Sequence, residues 1–128
     1  MISNQKSAFM KDFKELEIWK RSHKLTLEIY RATQNFPKEE VYGLTSQIRR
    51  AVSSIPTNIA EGCGRRTNAE LTNFLNIASG SASEVEYEIL LAKEVGYITA
   101  EQYDAWTKEI GEIRSMLAAY MKRLKTKG

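Results

Sequence analysis

Two arginine pairs, Arg49-Arg50 and Arg65-Arg66, flank one apolar-periodic stretch of a 128-residue chain, and a third cationic set, Lys20, Lys24 and Arg31, precedes them. Lysine meets a phosphate as a point charge and arginine meets it as a planar fork, so these are the side chains of a nucleic-acid backbone contact. For Arg49 and Arg50 the alternative is pairing with acidic side chains further along the chain. Residues 67–112 hold 2 Lys/Arg against 9 Asp/Glu, whereas 1–66 hold 12 against 7 and 113–128 hold 5 against none. A formal net charge of +3 thus conceals opposite charge blocks.

Catalytic chemistries find less support. A di-iron bundle needs Glu-x-x-His pairs on two helices, yet His23 is the single histidine and Lys20 stands three residues before it. Beside Trp19 and Leu27, His23 reads as a packing or interface residue. Magnesium-dependent hydrolysis would draw on Glu101-x-x-Asp104, Glu109-x-x-Glu112 or Glu84-x-Glu86-x-Glu88. The two spaced pairs lie on one helix, in the reverse of the order used by helical nucleotide pyrophosphohydrolases, so a solvated acidic face is the simpler reading. Cys63 follows a helix C-terminus, where the dipole opposes a thiolate. Gly62-Cys63-Gly64-Arg65-Arg66 lacks the Gly-Lys-Ser/Thr ending of a phosphate loop and follows no strand. No catalytic residue, metal site or cofactor is expected.

Four helices must position these residues. From about Leu16 to Asn35 the apolar side chains form two neighbouring sets, Leu16, Trp19, Leu27, Tyr30 and Ile18, Leu25, Ile29, Ala32, an arc wider than one bundle interior requires. The surplus, with Trp19, His23 and Tyr30, is expected to contact another copy. The second helix runs from Gly43 or Thr45 to Glu61 on Leu44, Ile48, Val52, Ile55 and Ile59, with Gly62 and Gly64 as its stop. Pro56 inside it removes one backbone donor, which predicts a kink relieved by Ser53 and Ser54. Capping boxes at Thr67-Asn68-Ala69-Glu70 and Thr99-Ala100-Glu101-Gln102 open the third and fourth helices. The third ends near Gly96. Its run of small residues from Ala78 to Ser83 predicts that Gly80 lies against another helix backbone. The fourth carries Tyr103, Trp106, Ile110, Ile113, Leu117, Tyr120, Met121 and Leu124. Short links then predict an all-α, antiparallel up-down-up-down four-helix bundle over residues 14–125, preceded by a flexible tail over 1–13.

Composition agrees. A 14.6 kDa chain with 42% hydrophobic and 27% charged residues is one ordinary globular domain. No apolar run approaches membrane-spanning length, and the first residues, MISNQKSAFMKDF, lack the apolar core of a secretory signal, so no membrane role and a cytoplasmic location are expected. One cysteine excludes an internal disulfide.

The second helix carries a more specific pattern: Tyr42-Gly43-Leu44, then Gln47-Ile48-Arg49-Arg50-Ala51, then Ser54-Ile55-Pro56-Thr57-Asn58-Ile59-Ala60-Glu61-Gly62 and Arg65. With Leu16 and Trp19 upstream and Phe74-Leu75, Ala78, Gly80-Ser81 and Glu84 downstream, it resembles the bacterial four-helix bundle proteins encoded in intervening sequences of 23S rRNA genes. These are often called S23 ribosomal proteins, and the likeness spans about residues 13–120. The family is similar in turn to the accessory proteins of diversity-generating retroelements. The resemblance implies a bundle that assembles as a barrel-like homopentamer, has no assigned catalytic activity, and contacts nucleic acid or a nucleic-acid-binding protein through basic positions. Arg49, Arg50 and Arg65 fall inside the shared pattern. Arg66, Lys20, Lys24 and Arg31 rest on charge alone.

The expected function is a non-enzymatic homo-oligomeric bundle that binds RNA or a nucleoprotein partner through arginine-rich faces. The competing expectation is a protein-only scaffold in which the opposite charge blocks serve assembly. With few aromatics next to the arginines in sequence, base stacking is expected to contribute little.

Overall fold

A computed structural model describes residues 12–126. Four helices carry the chain: α1 (Glu17–Thr33), α2 (Leu44–Cys63), α3 (Asn68–Glu94) and α4 (Ala100–Thr126), with single 3-10 turns at Phe13–Glu15 and Lys38–Glu40. Consecutive helices adjoin and α1 closes against α4, the neighbour relations of an up-down-up-down bundle; α2 on α3 is the broadest contact and α1 on α4 the narrowest. The tail expected over 1–13 falls mostly outside the described residues. Within it, Asp12 caps the first 3-10 turn by accepting from the Lys14 amide, and the Phe13 ring meets Trp19 edge-on at 5.0 Å.

Periodicity explains the core. Ile18, Leu25 and Ile29 of α1, Ile48, Val52, Ile55 and Ile59 of α2, Leu75, Ala78, Ala82, Val85 and Ile89 of α3, and Ile110, Ile113 and Leu117 of α4 are buried together. The set Leu16, Trp19, Leu27 and Tyr30 of α1 is only partly covered, leaving Leu27 and Tyr30 each 39% exposed. Both predicted N-caps are present. Thr67 Oγ1 accepts the Glu70 amide at 3.1 Å, and at α4 the exchange is reciprocal, Gln102 N to Thr99 Oγ1 at 3.0 Å and Thr99 N to Gln102 Oε1 at 2.9 Å.

The glycines are used differently from the sequence expectation. α2 continues to Cys63, so Gly62 is a buried interior residue, and Gly64 caps the helix with a right-handed φ of −85°. A Cβ on Gly62 would stand 2.7 Å from Leu71 Cδ1 and 3.0 Å from Phe74 Cβ, so the close approach of helices is here, between α2 and α3. Gly80 is exposed with nothing within 4 Å of a built Cβ, which corrects the prediction that it lies against a neighbouring backbone. Alanines 78 and 82 turn inward instead, because residues two apart on a helix point about 200° apart. The left-handed position is Gly96, at φ 87°, in the α3–α4 link.

Pro56 lies inside α2, and the helix is continuous across it. The missing amide would have bonded the Val52 carbonyl. Thr26 Oγ1 of α1 reaches that carbonyl at 3.2 Å while also donating to Ser22 O at 2.8 Å. The serines expected to relieve the proline have other partners: Ser53 donates to the Arg50 carbonyl, and Ser54 shares a hydrogen bond with Ser81 of α3 at 2.8 Å.

Two long-range polar ties complete the bundle. Arg21 of α1 grips Glu109 of α4 with Nε at 2.9 Å and Nη2 at 2.7 Å, and Nη2 also bonds Glu112. These hydrogen bonds hold the Glu109 carboxyl below its ordinary range and raise the guanidinium pKa. At one end of the bundle Glu40 accepts both the Leu44 amide at 3.0 Å, opening α2, and the Tyr97 hydroxyl at 2.8 Å, tying the α1–α2 link to the α3–α4 link.

Candidate nucleic-acid interface

Adjacent residues on a helix point about 100° apart, so Arg49 and Arg50 do not act as a pair. Arg49 turns toward α1. Its Nε donates to Thr33 Oγ1 at 2.7 Å, its Nη2 to the Tyr30 carbonyl at 3.1 Å, and its guanidinium lies over the Tyr30 ring at 4.9 Å. It therefore satisfies the C-terminal turn of α1, where carbonyls lack helical partners and the dipole favours a cation. Arg50 faces outward and bonds Ser46 Oγ at 3.2 Å. Among the described residues neither arginine forms an ion pair with an acidic side chain, so the pairing weighed from sequence for these two is not made within the subunit.

Arg65 and Arg66 follow the end of α2 and are exposed. Arg65 Nη2 bonds Glu61 at 2.8 Å, one turn back, and its guanidinium lies over the Phe74 ring at 4.8 Å, so the cation is held in place while still reaching solvent. Lys20, Lys24 and Arg31 occupy the outward row of α1 with Leu27, at spacings of four, three and four residues. Lys20 lies 3.7 Å from Glu17, an exposed pair of little energetic weight.

Between α1 and α2 runs an open groove of about 740 Å³, lined by Trp19, His23 and Thr26 on one side, by Ser53, Pro56, Thr57 and Ala60 on the other, and by Glu61, Gly64 and Arg65 at its end. Trp19 and His23 are stacked, with ring centroids 4.7 Å apart and planes at 11°. The structure thus joins Arg65 to two residues expected at a contact between copies, and it puts aromatics beside an arginine where sequence proximity indicated few. Tyr30, the third expected interface residue, lies apart from the groove beneath Arg49.

Sequence reasoning missed the Arg21 clamp, since its members are 88 and 91 residues apart. The clamp absorbs the Glu109-x-x-Glu112 pair. Among the described residues no group of three or more His, Cys, Asp or Glu is placed to hold a metal ion, and no helix is long and apolar enough to cross a membrane. Glu88, expected on a solvated acidic face, is instead buried, because its turn of α3 points it toward the core beside Val85 and Ile89. It is 4% exposed with Oε1 lacking a hydrogen-bond partner, and burial, with Glu84 adding to it, pushes its carboxyl up to about 7.

The comparison with known proteins agrees with the four-helix fold. A solved structure from Bacteroides thetaiotaomicron, a protein of unknown function from the S23 ribosomal protein family at 1.70 Å resolution, superposes with a TM-score of 0.74 and 30% sequence identity. The match covers 82% of this chain and 98% of that one. No curated protein matches the chain. The model of the 23S rRNA-intervening sequence proteins matches residues 14–119, nearly the whole bundle, and the chain belongs to that family.

Proposed function

We propose that the protein is a non-enzymatic, self-associating helical bundle that binds RNA along its α1–α2 face. One observation carries the reading: the groove between these helices holds a pinned, solvent-reaching arginine and a stacked aromatic pair within one surface. Arg50 on α2 and Arg66 just past its end extend the positive surface, and Lys20, Lys24 and Arg31 extend it along α1. Arg49 is assigned to stability, because its Nε and Nη2 donate within the subunit and its guanidinium lies over Tyr30. Repetition of the face in an oligomer, a homopentamer by family likeness, raises avidity without requiring strong contacts in each chain.

The test is charge reversal. Arg65→Glu with Arg66→Glu should weaken retention of a labelled RNA at low salt at least tenfold and lower the melting temperature only slightly, since Arg66 is exposed and Arg65 gives up only an exposed ion pair with Glu61 and its contact with Phe74. Light scattering coupled to gel filtration tests assembly, and a 14.6 kDa species at micromolar concentration would refute it.

A protein-only scaffold is the second reading. It is favoured by α3, whose outward face exposes Ile77 (51%) and Tyr87 (62%) beside Glu84, a surface suited to a cationic partner face. Retention of assembly with no RNA binding would select it.

A further inference from the structure

Resting on the RNA-binding reading, we infer that the α1–α2 groove recognises an unpaired nucleotide, so that the protein selects single-stranded or looped RNA over duplex. The inference begins with ring geometry. Phe13, Trp19 and His23 form a ladder in which Trp19 meets Phe13 edge-on at 5.0 Å and lies nearly parallel to His23 at 4.7 Å. Two rings are thereby held by their neighbours, and His23, the outermost, is exposed. The imidazole face turned from Trp19 is the next position in the stack, and a planar base fits it. A pre-stacked ring loses little freedom when a base settles on it.

The rest of the groove suits what is attached to a base. Ser53, whose proton goes to the Arg50 carbonyl, and Thr57 line the opposite wall, where a ribose hydroxyl finds an acceptor in the first and a donor in the second. Arg65, held by Glu61 through one nitrogen, supplies a cation for the adjoining phosphate at the groove's end. Pro56 and Ala60 keep that wall low, and the groove stays open along its length. A paired base has both faces covered by its duplex neighbours and cannot join the ladder, so the same cations meet a duplex through its phosphates alone.

The experiment uses the full chain and fluorescence anisotropy with three probes: a single-stranded purine 12-mer, the same sequence as a duplex, and a 12-mer of abasic ribose phosphates that keeps the charge. The single strand should bind the wild-type protein roughly 5- to 100-fold more tightly than the abasic strand, the range expected for stacking of one base or a few. His23→Ala should reduce single-strand affinity to the abasic level and leave duplex affinity unchanged. His23→Phe, which keeps a ring, should restore it. Equal binding of single and abasic strands by the wild-type protein overturns the nucleotide site while leaving the RNA-binding reading intact. Failure of all three probes to bind overturns that reading itself.

Discussion

The Thr26 hydroxyl shares its one proton between the Ser22 carbonyl of its own helix, at 2.8 Å, and, across the α1–α2 contact at 3.2 Å, the Val52 carbonyl, the backbone acceptor that Pro56 leaves without its helical donor. A proline inside a helix ordinarily exposes or strands this oxygen; here a neighbouring helix answers it. Thr26 also lines the candidate groove, so the residue that answers the proline stands at the contact that spaces α1 and α2.

Thr26→Val should therefore lower stability by about 1–2 kcal/mol, the cost of a buried acceptor left unsatisfied. In a Pro56→Ala background the alanine amide supplies the Val52 carbonyl, and the threonine change should cost less. A double-mutant cycle by chemical denaturation measures the coupling; additive losses would show that Thr26 does not serve the proline.

Gly62 and Gly80 should respond oppositely to alanine. Gly62→Ala drives a methyl group against Phe74 Cβ and Leu71 and should cost about 1–3 kcal/mol. Gly80→Ala meets open space in a helix interior and should stabilise by up to about 1 kcal/mol. Thermal melting of the two variants decides both.

Much of this was legible in the sequence, and the exceptions share a cause. Capping boxes and apolar stripes are local signals, and Thr67, Thr99 and the four helices followed from them. Which small residue admits a neighbouring helix is not local. The run around Gly80 looked the better site, yet its outward phase left that glycine exposed and gave the close approach to Gly62. The arginine pairs could be located from sequence, but the 100° turn between neighbours separates Arg49, which caps α1, from Arg50, which faces solvent. The meeting of Arg65 with Trp19 and His23 depends on how two helices pack, as does the grip of Arg21 on Glu109 and Glu112.

Arg49 should behave as a structural residue. Arg49→Ala removes the hydrogen bonds to Thr33 and the Tyr30 carbonyl and should destabilise the fold by about 1–2 kcal/mol. At temperatures where the variant stays folded, RNA affinity should change by less than twofold. Denaturation and binding of the same sample separate the two effects.

Glu88 makes stability depend on pH. Its folded pKa, about 7, stands above the ordinary 4.5, so the folded state holds a proton that the unfolded chain releases. The contribution is fully present below about pH 4.5 and is lost as pH rises toward and through 7. Glu88→Gln should match the wild type near pH 4.5 and exceed it at pH 8, by on the order of 1 kcal/mol or more. Melting across that range reads the difference. Glu109, whose carboxyl is held low by Arg21, contributes with the opposite sense, losing its stabilisation as pH falls through the lowered value.

The central claim is that the α1–α2 face binds RNA, and the salt dependence of affinity tests it most directly. For the intact assembly and a single-stranded RNA, the logarithm of the binding constant should fall linearly with the logarithm of salt concentration between about 50 and 200 mM, with a slope set by the phosphates engaged. The slope should become shallower when Arg65 and Arg66 are reversed to glutamate. No measurable binding at the lowest salt, or a slope unchanged by the reversal, would contradict the account.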